Sequence, residues 1–312
     1  MDQARRFGDG RLLIVAFEGW NDAGEAASGA AGVLRDMLDL EPLHEVDPEQ
    51  YFDYQFTRPV IFSDEEGTRK LRWPSATFFG PKSESAALPR SVEPEPPLLD
   101  DVAAPSPVDN VFVLLGSEPS RGWKSFAAEI LDHALVHDVS GIVVLGAMLA
   151  DVPHTRPISV FATSESAELR HEFELERSTY EGPVGILSVI AELAAEVGIT
   201  TVSIWASVPH YVHNAPSPKA ILALIERLEG IIGLPIPRGA LDEEATAWES
   251  GIDALAGEDE DMAAYIEQLE QARDTVDSPE ASGDAIAQEF ERYLRRRGDG
   301  RDGFADGRDQ PR

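Results

Sequence analysis

Four short segments of the chain carry side chains able to handle protons or hold anions, and each follows an apolar run. Trp20, Asn21 and Asp22 come after Leu12-Leu13-Ile14-Val15-Ala16-Phe17, and Glu118 and Arg121 come after Val111-Phe112-Val113-Leu114-Leu115. Asp151, His154 and Arg156 follow Ile142-Val143-Val144-Leu145. Pro209, His210, Tyr211 and His213 follow Val202-Ser203-Ile204-Trp205-Ala206. An unperturbed histidine titrates close to neutrality, so His210 is a candidate general base, with Asp22 as the other proton-handling group. Arg121 and Arg156 are candidates to hold an anion.

The stretch Gly116-Ser117-Glu118-Pro119-Ser120-Arg121-Gly122-Trp123-Lys124 approaches a phosphate loop without being one. Five residues separate its glycines where four are needed, and Trp123 stands between Gly122 and Lys124. A helix N-terminus holding an anion with Arg121 is the simpler reading. No metal site is expected. His133 and His137 lie four apart but lack the Glu of a zincin motif, and His210 and His213 have no evident third ligand. No Gly-x-Ser-x-Gly elbow occurs, and no Gly-x-Gly-x-x-Gly fingerprint follows any of the apolar runs. The search for chemistry ends without a nucleophile: the catalytic residues are unknown and no cofactor is expected. The plainer alternative is that strand-exit loops are polar in any case, with Asp22 capping a helix and Trp20 packing.

The apolar runs suit strands buried on both faces, and each is followed by a loop and an amphipathic helical stretch. Helices are expected from the Ala-rich segment ending near Leu38, up to about His137, over 183–197 and over 217–232. Strand, loop and helix in repetition predict an α/β fold with a mostly parallel sheet flanked by helices. In such a sheet the strand exits share one rim, where ligands bind. That rim gathers Trp20, Asn21, Asp22, Glu118, Arg121, His154, Arg156, His210 and Tyr211 into one candidate ligand-binding site. Residues 43–80, rich in aromatics, suggest extra strands at one sheet edge. The seven prolines of 81–107 suggest an exposed loop. These features place an α/β core at 1–237, a helical extension at 238–297 and a disordered tail at 298–312.

The chain has 26 Lys and Arg against 57 Asp and Glu, a formal charge of −31, and no Cys. So acidic a surface repels phosphate backbones and anionic lipids, which argues against nucleic-acid and membrane partners. The absence of Cys suits a reducing cytoplasm. Much of the charge is concentrated: residues 241–296 hold 17 acidic and four basic side chains. A negative helical flank is therefore attached to a milder core, and it could recruit a basic partner.

Glu18-Gly19-Trp20-Asn21-Asp22-Ala23-Gly24, Tyr180-Glu181-Gly182-Pro183, and Trp205-Ala206-Ser207-Val208-Pro209-His210-Tyr211 with Ser217-Pro218-Lys219-Ala220 resemble the proteasome-assembly-chaperone family in its prokaryotic branch. Glu289-Phe290-Glu291-Arg292-Tyr293-Leu294 resembles the helical extension of actinobacterial members. The resemblance implies a phosphorylase-like α/β fold, self-association into a homo-oligomer with a trimer among the candidates, and proteasome subunits as partners. It implies no catalytic residues. Eukaryotic members can dock through a hydrophobic-Tyr-any tail, whereas this chain ends Asp309-Gln310-Pro311-Arg312. The leading expectation is a non-enzymatic, cytoplasmic, chaperone-like scaffold. The alternative is an enzyme or small-ligand binder that uses the rim on an anion, nucleotide or carboxylate.

Overall fold

A computed structural model describes residues 7–64, 66–82, 110–212 and 215–276. Its strands are β1 (Arg11–Glu18), β2 (Glu41–Glu45), β3 (Val60–Ser63), β4 (Arg69–Arg72), β5 (Ala76–Gly80), β6 (Val111–Ser117), β7 (Val139–Ala150), β8 (Val160–Thr163) and β9 (Thr200–Pro209). Seven form one sheet in the order β2-β5-β6-β1-β7-β9-β8. The central pairings β6–β1, β1–β7 and β7–β9 are parallel, while β5, β2 and β8 add antiparallel margins. The sheet is thus mixed but built on a parallel centre.

The burial of the strands explains this order. All six side chains of Leu12–Phe17 are buried, so β1 needs a covered face on each side and takes the centre. Burying each large aliphatic side chain of this kind contributes about 1.5–3 kcal/mol before conformational entropy is set against it. Helices α1 (Ala26–Met37) and α6 (Pro218–Ile232) cover one face, and α3 (Trp123–Val136) and α5 (Ile186–Glu196) cover the other. Alternate residues of β1 serve the two cores: Leu12, Ile14 and Ala16 face α1 and α6, and Leu13, Val15 and Phe17 face α3 and α5. Two short helices, α2 (Pro48–Tyr51) and α4 (Ala167–Glu172), lie in the connections.

The aromatic-rich insertion divides between two fates. β2 and β5 extend the main sheet, as the alternation predicts, but β3 and β4 pair only with each other, as an exposed hairpin. Two further helices follow α6: α7 (Leu241–Gly257) and α8 (Glu260–Val276). α7 buries Ala245, Ile252 and Ala256 and packs along α6. The third amphipathic stretch around Phe290, the tail at 298–312, His213 and most of the Pro-rich segment lie outside the described residues. Among the described residues no helix is long and apolar enough to cross a membrane.

Candidate functional site

The parallel centre brings the four strand exits to one end of the sheet, where they sort into two clusters by strand order. β6 and β1 are neighbours, so Glu118 meets Asn21: Asn21 Nδ2 donates to Glu118 Oε1 at 3.0 Å. The same oxygen accepts from the backbone N–H of Ile186 at 3.0 Å, so Glu118 also caps the positive end of α5. Gly185 allows this closeness, because a Cβ there would lie 2.5 Å from Asn21 Oδ1. The carbonyl of Asn21 accepts from Ala147 N–H at 2.7 Å, tying the loop to β7.

Asp22 is buried and turned towards α1. Its Oδ1 accepts from Ala27 N–H at 2.7 Å and Ser28 N–H at 3.1 Å, and Oδ2 accepts from the Ser28 hydroxyl. Burial pushes its carboxyl above the usual carboxylate range, against the opposing pull of these hydrogen bonds. Arg121 joins neither cluster. It donates to the carbonyls of Gln50 (3.2 Å) and Glu49, locking α2 against the start of α3.

The second cluster forms where β7 and β9 end. His154 is fully buried. Its Nδ1 lies 2.9 Å from the Tyr211 hydroxyl, which also accepts from His154 N–H at 2.8 Å. Its Nε2 lies 3.0 Å from Asp253 Oδ1, so a proton on Nε2 bonds the carboxylate while Nδ1 accepts from the Tyr211 hydroxyl. Asp253 comes from α7. Glu249, one turn earlier, pairs with Lys219, whose ammonium also donates to the carbonyl of His154 at 2.6 Å. α8 repeats the pattern: Asp274 makes a two-point contact with Arg156 at 2.8 and 2.9 Å, and Glu270 bonds Thr155 and Arg156. The guanidinium holds the Asp274 carboxyl below the usual range. His210 lies 3.5 Å from Asp151, with its ring edge-on to Tyr265 of α8.

Carboxylate, imidazole and phenol are the parts of a proton relay, but here the imidazole is buried and the carboxylate of Asp253 is the end that faces solvent. The imidazole touches no solvent, and the phenol is turned to the backbone and pushed up to about 12 by burial. Arg156 and Lys219 already hold the chain's own carboxylates. The residues missing from the sequence reading here are Lys219 and the pairs Glu249/Asp253 and Glu270/Asp274. Their signal was the i, i+4 spacing, which puts each pair on one helix face.

His133 and His137 pack instead of ligating. His44 stacks on His133, and His137 lies against Phe78 and Phe112. Burial, helped by the neighbouring His44, pushes the His133 pKa down. No group of three His, Asp or Glu side chains able to hold a metal occurs among the described residues.

An open groove of about 1020 Å³ runs along the β8 edge of the sheet, beside α5. Trp20, Phe161, Tyr180, Val184 and Trp205 supply its apolar lining. Trp205 can lie across β7 because Gly146 has no Cβ, which would sit 2.6 Å from the indole. The Tyr180 hydroxyl donates to Pro183 O at 2.9 Å and closes the turn at one end.

The PAC2 family profile matches residues 16–256. A PAC2 family protein from Streptomyces avermitilis is 38% identical, with 82% of this chain and 99% of that one covered at a TM-score of 0.67. A proteasome-assembly chaperone homologue from Mycobacterium tuberculosis is 37% identical, with the same coverage and a TM-score of 0.66. PbaB, an archaeal proteasome activator from Pyrococcus furiosus, shares the fold at 16% identity and a TM-score of 0.57, with 78% of this chain and 92% of that one covered. Among curated proteins none matches. With the family profile spanning most of its length and two actinobacterial relatives aligned over 82% of it, this chain belongs to the PAC2 family.

Proposed function

We propose that this protein is a non-enzymatic, homo-oligomeric, chaperone-like scaffold of the cytoplasm that acts on proteasome subunits. One observation carries the reading: the rim side chains suited to chemistry are engaged internally. Asp22 and Glu118 cap helices, Arg121 locks α2, and His154 and Arg156 hold α7 and α8. Membership of PAC2 and the likeness to an assembly-chaperone homologue support the choice of partner.

Self-association is supported by the β3–β4 hairpin, where Val60, Ile61 and Leu71 are each about half exposed and nearby Phe56 is 80% exposed. Ile61 and Leu71 are directly paired across the hairpin, and exposed apolar surface of this kind marks protein contacts. Light scattering is expected to give a mass at a multiple of 34.0 kDa, falling to that of one chain in an Ile61→Asp, Leu71→Asp variant. For the partner, the purified protein is mixed with α-type proteasome subunits and ring formation is followed on native gels. Accelerated ring formation is expected. Unchanged ring formation removes the assembly role, and turnover of a small molecule that is lost in Asp22→Ala or His210→Ala removes the non-enzymatic reading.

A further inference from the structure

The groove on the β8 edge is assigned no role by the scaffold reading, and its chemistry is specific. Its aromatic floor of Trp20, Phe161 and Trp205 is bordered by the exposed carboxylates of Glu174, Glu176 and Glu192. Trp20 and Val184 are each 45% exposed, well above what a packed apolar side chain retains. The cation among the lining residues is Arg227, which donates to the carbonyl of Phe173 at 3.2 Å. Such a surface suits an amphipathic segment with an aromatic or aliphatic stripe and several positive charges.

The chain itself contains one. Ile286, Phe290, Tyr293 and Leu294 recur at helical spacing and are followed at once by Arg295, Arg296 and Arg297, the only run of three basic residues in a strongly acidic sequence. These residues lie outside the described ones, but the point from which the chain reaches them is fixed. Arg273 of α8 donates to Ser159 Oγ at 2.6 Å, and Asp274 is clamped to Arg156. Ser159 directly precedes Val160, which lines the groove. The fourteen residues from Val276 to Phe290 span at most roughly 45 Å when extended, more than the length of β9, at roughly 33 Å. A tether of this size presents the segment to the groove at about millimolar effective concentration, far above what another molecule would ordinarily supply.

We propose that the groove holds the same chain's segment 283–297. The stripe of Ile286, Phe290 and Leu294 lies on the tryptophans and Phe161, and the arginines lie against Glu174, Glu176 and Glu192. The groove is then a self-binding site, and any other basic amphipathic segment has to displace this one.

The lack of Cys makes the test direct, because introduced thiols are unique. In the full chain, Ala195→Cys on the exposed wall of the groove is combined with Ala287→Cys and treated with a short bismaleimide. The control pairs Ala287→Cys with Gln55→Cys, an exposed site in the insertion between β2 and β5. The groove pair is expected to cross-link within one chain at least tenfold more than the control. Either Glu174→Arg with Glu176→Arg or reversal of the three arginines to Glu should lower the yield severalfold, and combining the two sets should restore it. Gln55, Glu174, Glu176 and Ala195 are exposed, and circular dichroism checks that each variant folds. Equal yields for the two pairs, covalently linked dimers in place of linked monomers, or indifference to both charge reversals would each overturn the proposal.

Discussion

The strand exits beneath α7 and α8 and the groove along β8 are neighbouring surfaces with opposite outcomes. At the exits of β7 and β9 the core presents Lys219, Arg156 and His154, and the acidic helices lie down on them through Glu249, Asp253, Glu270 and Asp274. Along β8 the core presents carboxylates, and the same helices leave that surface uncovered. Sequence-wide acidity therefore becomes selective in three dimensions. Residues 241–276 hold twelve acidic side chains and one basic, yet those that face the core do so where a cation or imidazole receives them. Like charges repel elsewhere, so the placement of three basic groups decides which part of the rim closes.

If the closed region is held by this network and the groove is not, a single change in each should differ sharply in cost. His154→Ala removes a buried ring together with its bonds to Tyr211 and Asp253, and leaves a cavity beside Trp248. The expected loss is about 3 kcal/mol in urea unfolding, with faster amide exchange in α7. Trp20→Ala, in the groove, is expected to cost less than about 1 kcal/mol, because nearly half of the indole is already solvated. Equal costs would end the distinction between the two regions.

Asp22 lines the groove while capping α1, and it tests which role matters to the fold. Asp22→Ala strands the amides of Ala27 and Ser28 and should cost about 2 kcal/mol. Asp22→Asn keeps an acceptor at Oδ1 and should cost about 1 kcal/mol or less. The two variants also separate in their pH dependence. The carboxyl pKa is raised in the folded protein, so its contribution is fully present below the unfolded value and is lost as pH rises through the folded one. Denaturation midpoints measured across mild acid should show that slope in the parent and not in Asp22→Asn.

The α/β order was legible because each central strand is a continuous apolar run bounded by Gly, Pro or charged residues, and the rim followed from parallel strands. The composition of the site was less legible. Asn21 and Glu118 meet because β1 and β6 are adjacent, but strand order is a long-range property that spacing along the chain does not encode. Arg121 turns to Glu49 and Gln50 because the insertion folds back beside it, 71 residues away in sequence. The closure of His154 needed Asp253, 99 residues away, and the groove is lined by ordinary residue types that only the β8–β9 pairing assembles.

The smallest expected effect concerns the phenol at the centre of the closed region. Burial raises Tyr211 from its usual 10 to about 12, with nearby negative charges on Glu270 and Asp253 adding to the shift. A raised acid contributes stability that is whole below pH 10 and is lost as pH rises through about 12. The hydroxyl would then give up its proton and its bond to His154 Nδ1, and α7 should loosen before the sheet does. Tyr51, on the α3 face, is also raised to about 12 and bonds Glu129, so alkaline titration alone cannot assign the transition. Tyr211→Phe separates them: it should flatten the response of the α7 amides between pH 10 and 12 while leaving that of α3 unchanged. An α7 response that persists in Tyr211→Phe would locate the alkaline weakness outside the closed region, and the contrast with the groove would lose its electrostatic basis.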